Sequence, residues 1–191
     1  MSKPNLLVIV ASTRPGRIGR PIGDWFLKIA HQHGGFEVTE VDLATLGLPL
    51  MDEPNHPRFQ NYTQEHTKQW SALVAAADAV VWITPEYNHS FPASLKNAID
   101  YLNVEWRHKS LGLVSYGGIA AGTRAAQALK PVAAGLGLIV TSTAVQIAFA
   151  GKMIKDGVFV EDEGVDAAAN AMLDEMLHLE TGLSVLRGSA A

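Results

Sequence analysis

Short apolar runs rich in β-branched residues alternate along the chain with segments whose apolar positions recur every three or four residues. The first run, Leu6 to Ala11, precedes Ile22, Trp25, Phe26, Ile29 and Ala30, a spacing that puts all five on one face of a helix. His33-Gly34-Gly35 ends that helix. Phe36 to Val41 reads as a second strand and leads into a long polar loop through Pro49, Pro54 and Pro57. Trp70, Leu73, Val74 and Ala77 mark one face of a second helix, and Ala79 to Thr84 is continuous and apolar, the pattern of a strand covered on both faces. Pro92 suits the first turn of a third helix, where its missing N–H costs nothing, and Leu95, Ala98, Ile99 and Leu102 form its apolar stripe. Leu111 to Ser115 is the fourth strand. A fourth helix is expected from Thr123 to about Ala134, with Pro131 removing one hydrogen bond and kinking or shortening it. Leu138 to Ile147 reads as one long fifth strand, and Val165, Ala169, Met172, Leu173, Met176 and Leu177 give a last helix.

This alternation predicts an α/β fold, a doubly wound five-stranded parallel sheet between helices. At 191 residues, with no repeat, low-complexity tract or linker, the whole of 1–191 is read as one domain, since about 100–200 residues per domain is usual. That length favours strand order 2-1-3-4-5 over a six-stranded dinucleotide fold. Composition narrows the function. With 48% hydrophobic and 18% charged residues the chain is globular, and a net charge of −4 gives no support to a nucleic-acid partner, which needs a basic surface, so none is expected. No apolar run approaches the roughly 20 residues of a membrane span. Without a signal-like N-terminus the expected location is the cytoplasm. Cysteine is absent, which excludes disulfides, thiolate nucleophiles and cysteine-bound clusters, so redox chemistry would rest on an organic cofactor or a non-thiolate metal.

Ligands of open parallel sheets bind outside the carboxyl ends of the strands, near the switch in strand order. The loop after strand one, Ser12-Thr13-Arg14-Pro15-Gly16-Arg17-Ile18-Gly19, ends at a helix N-terminus, where unpaired amides and the helix dipole favour an anion. Ser12 and Thr13 add hydroxyls, and Arg14 and Arg17 can neutralise a dianion through paired contacts. Neither the Gly-x-Gly-x-x-Gly of dinucleotide sites nor the Lys-Ser/Thr of a P-loop is present, so a monophosphate fits better. The seven histidines show no helical metal-ligand spacing, no metal is expected, and no Gly-x-Ser-x-Gly elbow occurs. Glu161, Asp162 and Glu163 read as a solvated turn favouring the N-terminus of the last helix.

After strand three comes Thr84-Pro85-Glu86-Tyr87-Asn88, continuing through Pro92-Ala93-Ser94-Leu95-Lys96-Asn97-Ala98-Ile99-Asp100; after strand four, Ser115-Tyr116-Gly117-Gly118. Together with Ser12 to Arg17, these segments resemble the NADPH-dependent FMN reductase family, which includes flavodoxin-like quinone, azo and chromate reductases. The likeness spans positions 6 to about 147, with Ala11 and Ala121 standing where family members often carry glycine.

The resemblance implies a flavodoxin-like fold holding one non-covalent FMN. Its phosphate would lie against Ser12, Arg14, Arg17, Ile18 and Gly19, and its ring along Pro85, Glu86, Tyr87 and Asn88, with Ser115, Tyr116, Gly117 and Gly118 as the third wall. NADPH or NADH would be the reductant and a small molecule the acceptor, by a ping-pong scheme. Flavin N5 carries the hydride, so no catalytic side chain is expected. A homodimer or homotetramer is implied. From the residues alone, Glu86 reads as a solvent-facing or capping carboxylate, His89 as loop packing, and Tyr87 as either ring contact or packing. A flavodoxin-type electron carrier, for which −4 is a mild charge, and a flavin-binding regulatory module remain as alternatives.

Overall fold

The structure, a computed structural model, describes residues 3–188. Its main sheet runs in the order β2 (Glu37–Asp42), β1 (Asn5–Val10), β3 (Ala79–Pro85), β4 (Ser110–Tyr116) and β5 (Ile139–Val140), with every pairing parallel. This is the expected flavodoxin-like order. Every residue of β3 and β4 is buried, because helices cover both faces.

Alternate residues of β1 feed two cores, as the twofold period of a strand requires. Leu6, Val8 and Val10 pack with α1 (Gly19–His33) and α6 (Glu163–Gly188); Leu7, Ile9 and Ala11 pack with α3 (Glu65–Ala75), α4 (Ala93–Asp100) and α5 (Thr123–Gly135). The stripe Ile22, Trp25, Phe26, Ile29 and Ala30 is buried throughout. Gly34, at φ +70, ends α1 in the left-handed conformation that glycine adopts without steric cost. A short helix, α2 (Leu43–Leu46), follows β2 directly, capped at Ala44 N by Asp42.

Three details differ from the sequence reading. The long fifth strand is two pieces, β5 and β6 (Val145–Ile147), both paired to β4. Between them the Glu175 carboxylate of α6 accepts the amides of Ser142 and Thr143, at 2.7 and 2.9 Å, which takes those groups out of the ladder. Leu73 is 36% exposed. On a helical wheel Thr67, Trp70 and Val74 fall within about 60° of one another, whereas Leu73 lies about 100° from Val74 and misses the core. A hairpin of β7 (Ile154–Lys155) and β8 (Val158–Phe159) occupies what reads as loop. Pro131 is accommodated inside α5, which continues to Gly135. Asp162 accepts the amides of Gly164 and Val165 and so caps α6.

Candidate active site

The loops after β1, β3 and β4 meet in one cleft at the carboxyl edge of the sheet. Ser12, Arg14, Gly16, Arg17, Ile18, Pro85, Glu86, Tyr87, Tyr116 and Gly117 line it. Ten residues from three distant segments thus converge in one cleft.

The first loop is shaped by a turn. Arg17 N donates to Arg14 O at 3.1 Å across Pro15 and Gly16, with Gly16 at φ +70. Proline second and a positive-φ glycine third is the type II pattern, and a side chain at Gly16 would be strained whatever the space around it. Among the described residues, the amides of Ser12, Thr13, Arg14, Gly16, Ile18 and Gly19 have no acceptor. Six free donors at the N-terminus of a 15-residue helix form a preorganised anion seat. The two arginines differ in commitment. Arg14 is exposed, with no partner among the described residues, whereas Arg17 Nη2 donates to Asp42 Oδ2 at 2.6 Å.

Ser12 and Tyr87 share a hydroxyl–hydroxyl bond of 2.7 Å, tying the first loop to the second. In that second loop Tyr87 N donates to Ser90 O and Ser90 N to Tyr87 O, at 2.8 and 2.9 Å, around Asn88 and His89 at φ +48 and +66. Two consecutive positive-φ residues make a type I′ turn, a conformation in which asparagine and histidine are enriched among residues other than glycine. Asn88 and His89 are exposed at its tip, and their amides have no acceptor among the described residues. Asn88 does not line the cleft. The Glu86 carboxylate accepts Arg124 N at 3.2 Å and pairs with the Arg124 guanidinium. It therefore caps α5, and the Arg124 bond holds its pKa below the usual carboxylate range, against a smaller effect of burial.

The third loop is held from within. Ser115 Oγ donates to Ala121 O at 2.9 Å, and Ser115 is buried, so its hydroxyl faces the loop interior. Gly122, at φ +76, lies so close to the Tyr116 backbone that any Cβ would collide with it. Ala121, where glycine is common in the family the sequence resembles, adopts φ +51, a conformation costing alanine roughly 1–2 kcal/mol. Gly118 and Gly19 border the cleft without lining it. The Tyr116 hydroxyl occupies the position that a Gly19 side chain would take. That hydroxyl and Arg17 Nε are buried without a partner among the described residues, and burial pushes the phenol pKa up, so Tyr116 stays neutral. Unsatisfied buried donors beside an amide-rich loop fit a phosphate-bearing ligand.

Thr13 borders a second hollow of about 410 Å³ between the residues after β2 and the start of α4. Its other polar side chains are satisfied, Ser94 by Ala11 O and Asn97 by Pro49 O and Met51 N. Asp42 and Arg124 escaped the sequence reading. An acidic residue ending the strand beside strand one was the available signal for Asp42; nothing local marked Arg124.

Comparisons with known proteins bear on the family. A family model described as NADPH-dependent FMN reductase matches residues 4–152. An NAD(P)H-dependent FMN reductase of Schizosaccharomyces pombe is 41% identical over 157 residues, covering 81% of this chain and 78% of that protein. An NADPH azoreductase of a Bacillus species is 35% identical over 129 residues, covering 66% and 69%. Among solved structures, the flavoenzyme NAD(P)H:(acceptor) oxidoreductase FerB of Paracoccus denitrificans superposes with a TM-score of 0.70 over 94% of this chain and 98% of its own; at 22% identity it speaks for the fold. With a matching model over most of its length and a relative so similar, the chain belongs to the NADPH-dependent FMN reductase family.

Proposed function

We propose that this chain is an FMN-dependent NAD(P)H oxidoreductase. It works as one domain over 1–191 and relays hydride by a ping-pong scheme to a quinone, free flavin, azo compound or similar small acceptor. The observation that carries the reading is the cleft in which six unpaired amides at the start of α1 meet the loops after β3 and β4. The amides of residues 12–19, with Arg14 and Arg17, hold the phosphate. The free amides of Asn88 and His89 serve the edge of the ring, and the glycines after Tyr116 let the backbone approach its plane. When bound, the flavin supplies a two-electron store at N5, which accounts for a cleft without an acid–base dyad. The side chains orient and desolvate: Tyr87 and Tyr116 wall the site, and Glu86 holds its rim through Arg124. The family names FMN and azo reduction among the relatives described above, which supports a small acceptor. We place the protein in the cytoplasm as a homodimer or homotetramer, the assembly the family resemblance implies.

The test is cofactor selectivity. FMN should bind at least tenfold more tightly than riboflavin, because charge-assisted bonds at the phosphate have no counterpart in riboflavin and each tenfold is only about 1.4 kcal/mol. Equal affinity would remove the phosphate from the loop after β1.

A further inference from the structure

Asp42 stands at the end of β2, paired in register with Val10, two residues before the phosphate loop begins. The edge strand therefore delivers a carboxylate to the flank of that loop. Its Oδ2 accepts Arg17 Nη2 at 2.6 Å, and Arg20 Nη1 lies 3.4 Å away; its Oδ1 accepts Ala44 N at 3.0 Å. The pair is largely shielded, with 19% of the Arg17 side chain and 9% of the Asp42 side chain exposed. Arg20 has further partners, Glu40 and Asp24; Arg17 has none among the described residues.

A shielded ion pair contributes little net stability, since desolvation offsets the attraction, and its best-attested use is to fix one arrangement. Here the arrangement is that of a cleft-lining arginine whose Nε–H is buried and unpartnered. A free arginine must give up rotamer freedom on binding an anion, and an arginine already held at one Nη has lost it beforehand. Two opposite effects of Asp42 are thus in play. Its charge disfavours a phosphate nearby, and its grip keeps Arg17 in place.

We propose that Asp42 is a positioning residue for the cofactor phosphate: without touching it, Asp42 holds Arg17 against the loop after β1 and thereby raises the preference for FMN over riboflavin. The inference rests on the phosphate-loop reading given under Proposed function. Asp42 belongs to β2 and α2, not to the cleft itself, so its influence passes through Arg17.

The sign of one substitution separates the two effects. Asp42→Asn keeps an oxygen for Ala44 N and removes the charge. It should weaken FMN about three- to tenfold by freeing Arg17, with riboflavin affinity unchanged. In the Arg17→Ala background Asp42→Asn should no longer weaken FMN, since only the repulsion from its charge is left to remove. Glu40→Gln, which removes a neighbouring carboxylate that touches Arg20 but not Arg17, should leave the FMN-to-riboflavin ratio intact. The readouts are fluorescence titrations of apoprotein with each flavin, alongside apoprotein melting temperatures. Tighter or unchanged FMN binding in Asp42→Asn, or an equal loss in the Arg17→Ala background, overturns the proposal. A parent protein that binds both flavins equally fails the phosphate-loop reading first, and the role of Asp42 falls with it.

Discussion

The hydroxyls of Ser12 and Tyr87 lie 2.7 Å apart and join two loops separated by 75 residues. Ser12 is buried and Tyr87 half-buried, so the bond is protected from competing water. Tyr87→Phe keeps the ring and deletes the bond. The apoprotein should lose about 0.5–1.5 kcal/mol, the usual net worth of one hydrogen bond, as measured by urea unfolding. The ratio of FMN to riboflavin affinity should stay constant, because no phosphate donor is altered.

Gly19 and Tyr116 make a second pair whose geometry is directly testable. The Tyr116 hydroxyl fills the space of a Gly19 side chain, so Gly19→Ala forces the phenol or the start of α1 to move. Thermal or urea melts should report a loss of about 1–3 kcal/mol, the range for overpacking, together with weaker FMN binding. Adding Tyr116→Phe should recover most of that stability, since the colliding atom is gone.

Much of this was legible in the chain. The stripe from Ile22 to Ala30 and the apolar runs of β1, β3 and β4 follow from periodicity, which is a local property. The Pro15-Gly16 turn and the loops around Ser12, Pro85 and Tyr116 carry their chemistry in consecutive residues, so three of the cleft's walls could be named before the fold. Long-range pairings left little local trace. The break between β5 and β6 depends on Glu175, more than thirty positions later, and the commitments of Arg17 to Asp42 and Glu86 to Arg124 span 25 and 38 positions. The tip of the second loop is an intermediate case. Asn88 and His89 both tolerate a left-handed turn, but without the Asn-Gly pair the turn is not marked in the sequence.

Glu175 also sets an acid limit on stability. Burial opposes its ionisation, but the amides of Ser142 and Thr143 outweigh that and bring its pKa from 4.5 down to about 2. A folded pKa below the unfolded one means that its contribution is complete above about pH 4.5 and is lost as pH falls towards 2. Glu53, held by the amides of Thr63 and Gln64 and likewise at about 2, works in the same direction. Glu175→Gln should therefore lower the melting temperature at pH 7, and the gap to the parent protein should narrow steadily below pH 4.5. A gap independent of pH would show that the amides do not depend on the carboxylate's charge.

The central claim is that this cleft holds FMN where a reduced nicotinamide can reach it. The direct measurement is an anaerobic titration of the FMN-loaded protein with NADPH and, separately, NADH, followed through the visible absorption band of the oxidised flavin. One equivalent of at least one nucleotide should bleach the band with no acceptor present, and a quinone added afterwards should restore it, because the two half-reactions are separable. Retention of the band with both nucleotides in stoichiometric amounts would contradict the reductase assignment.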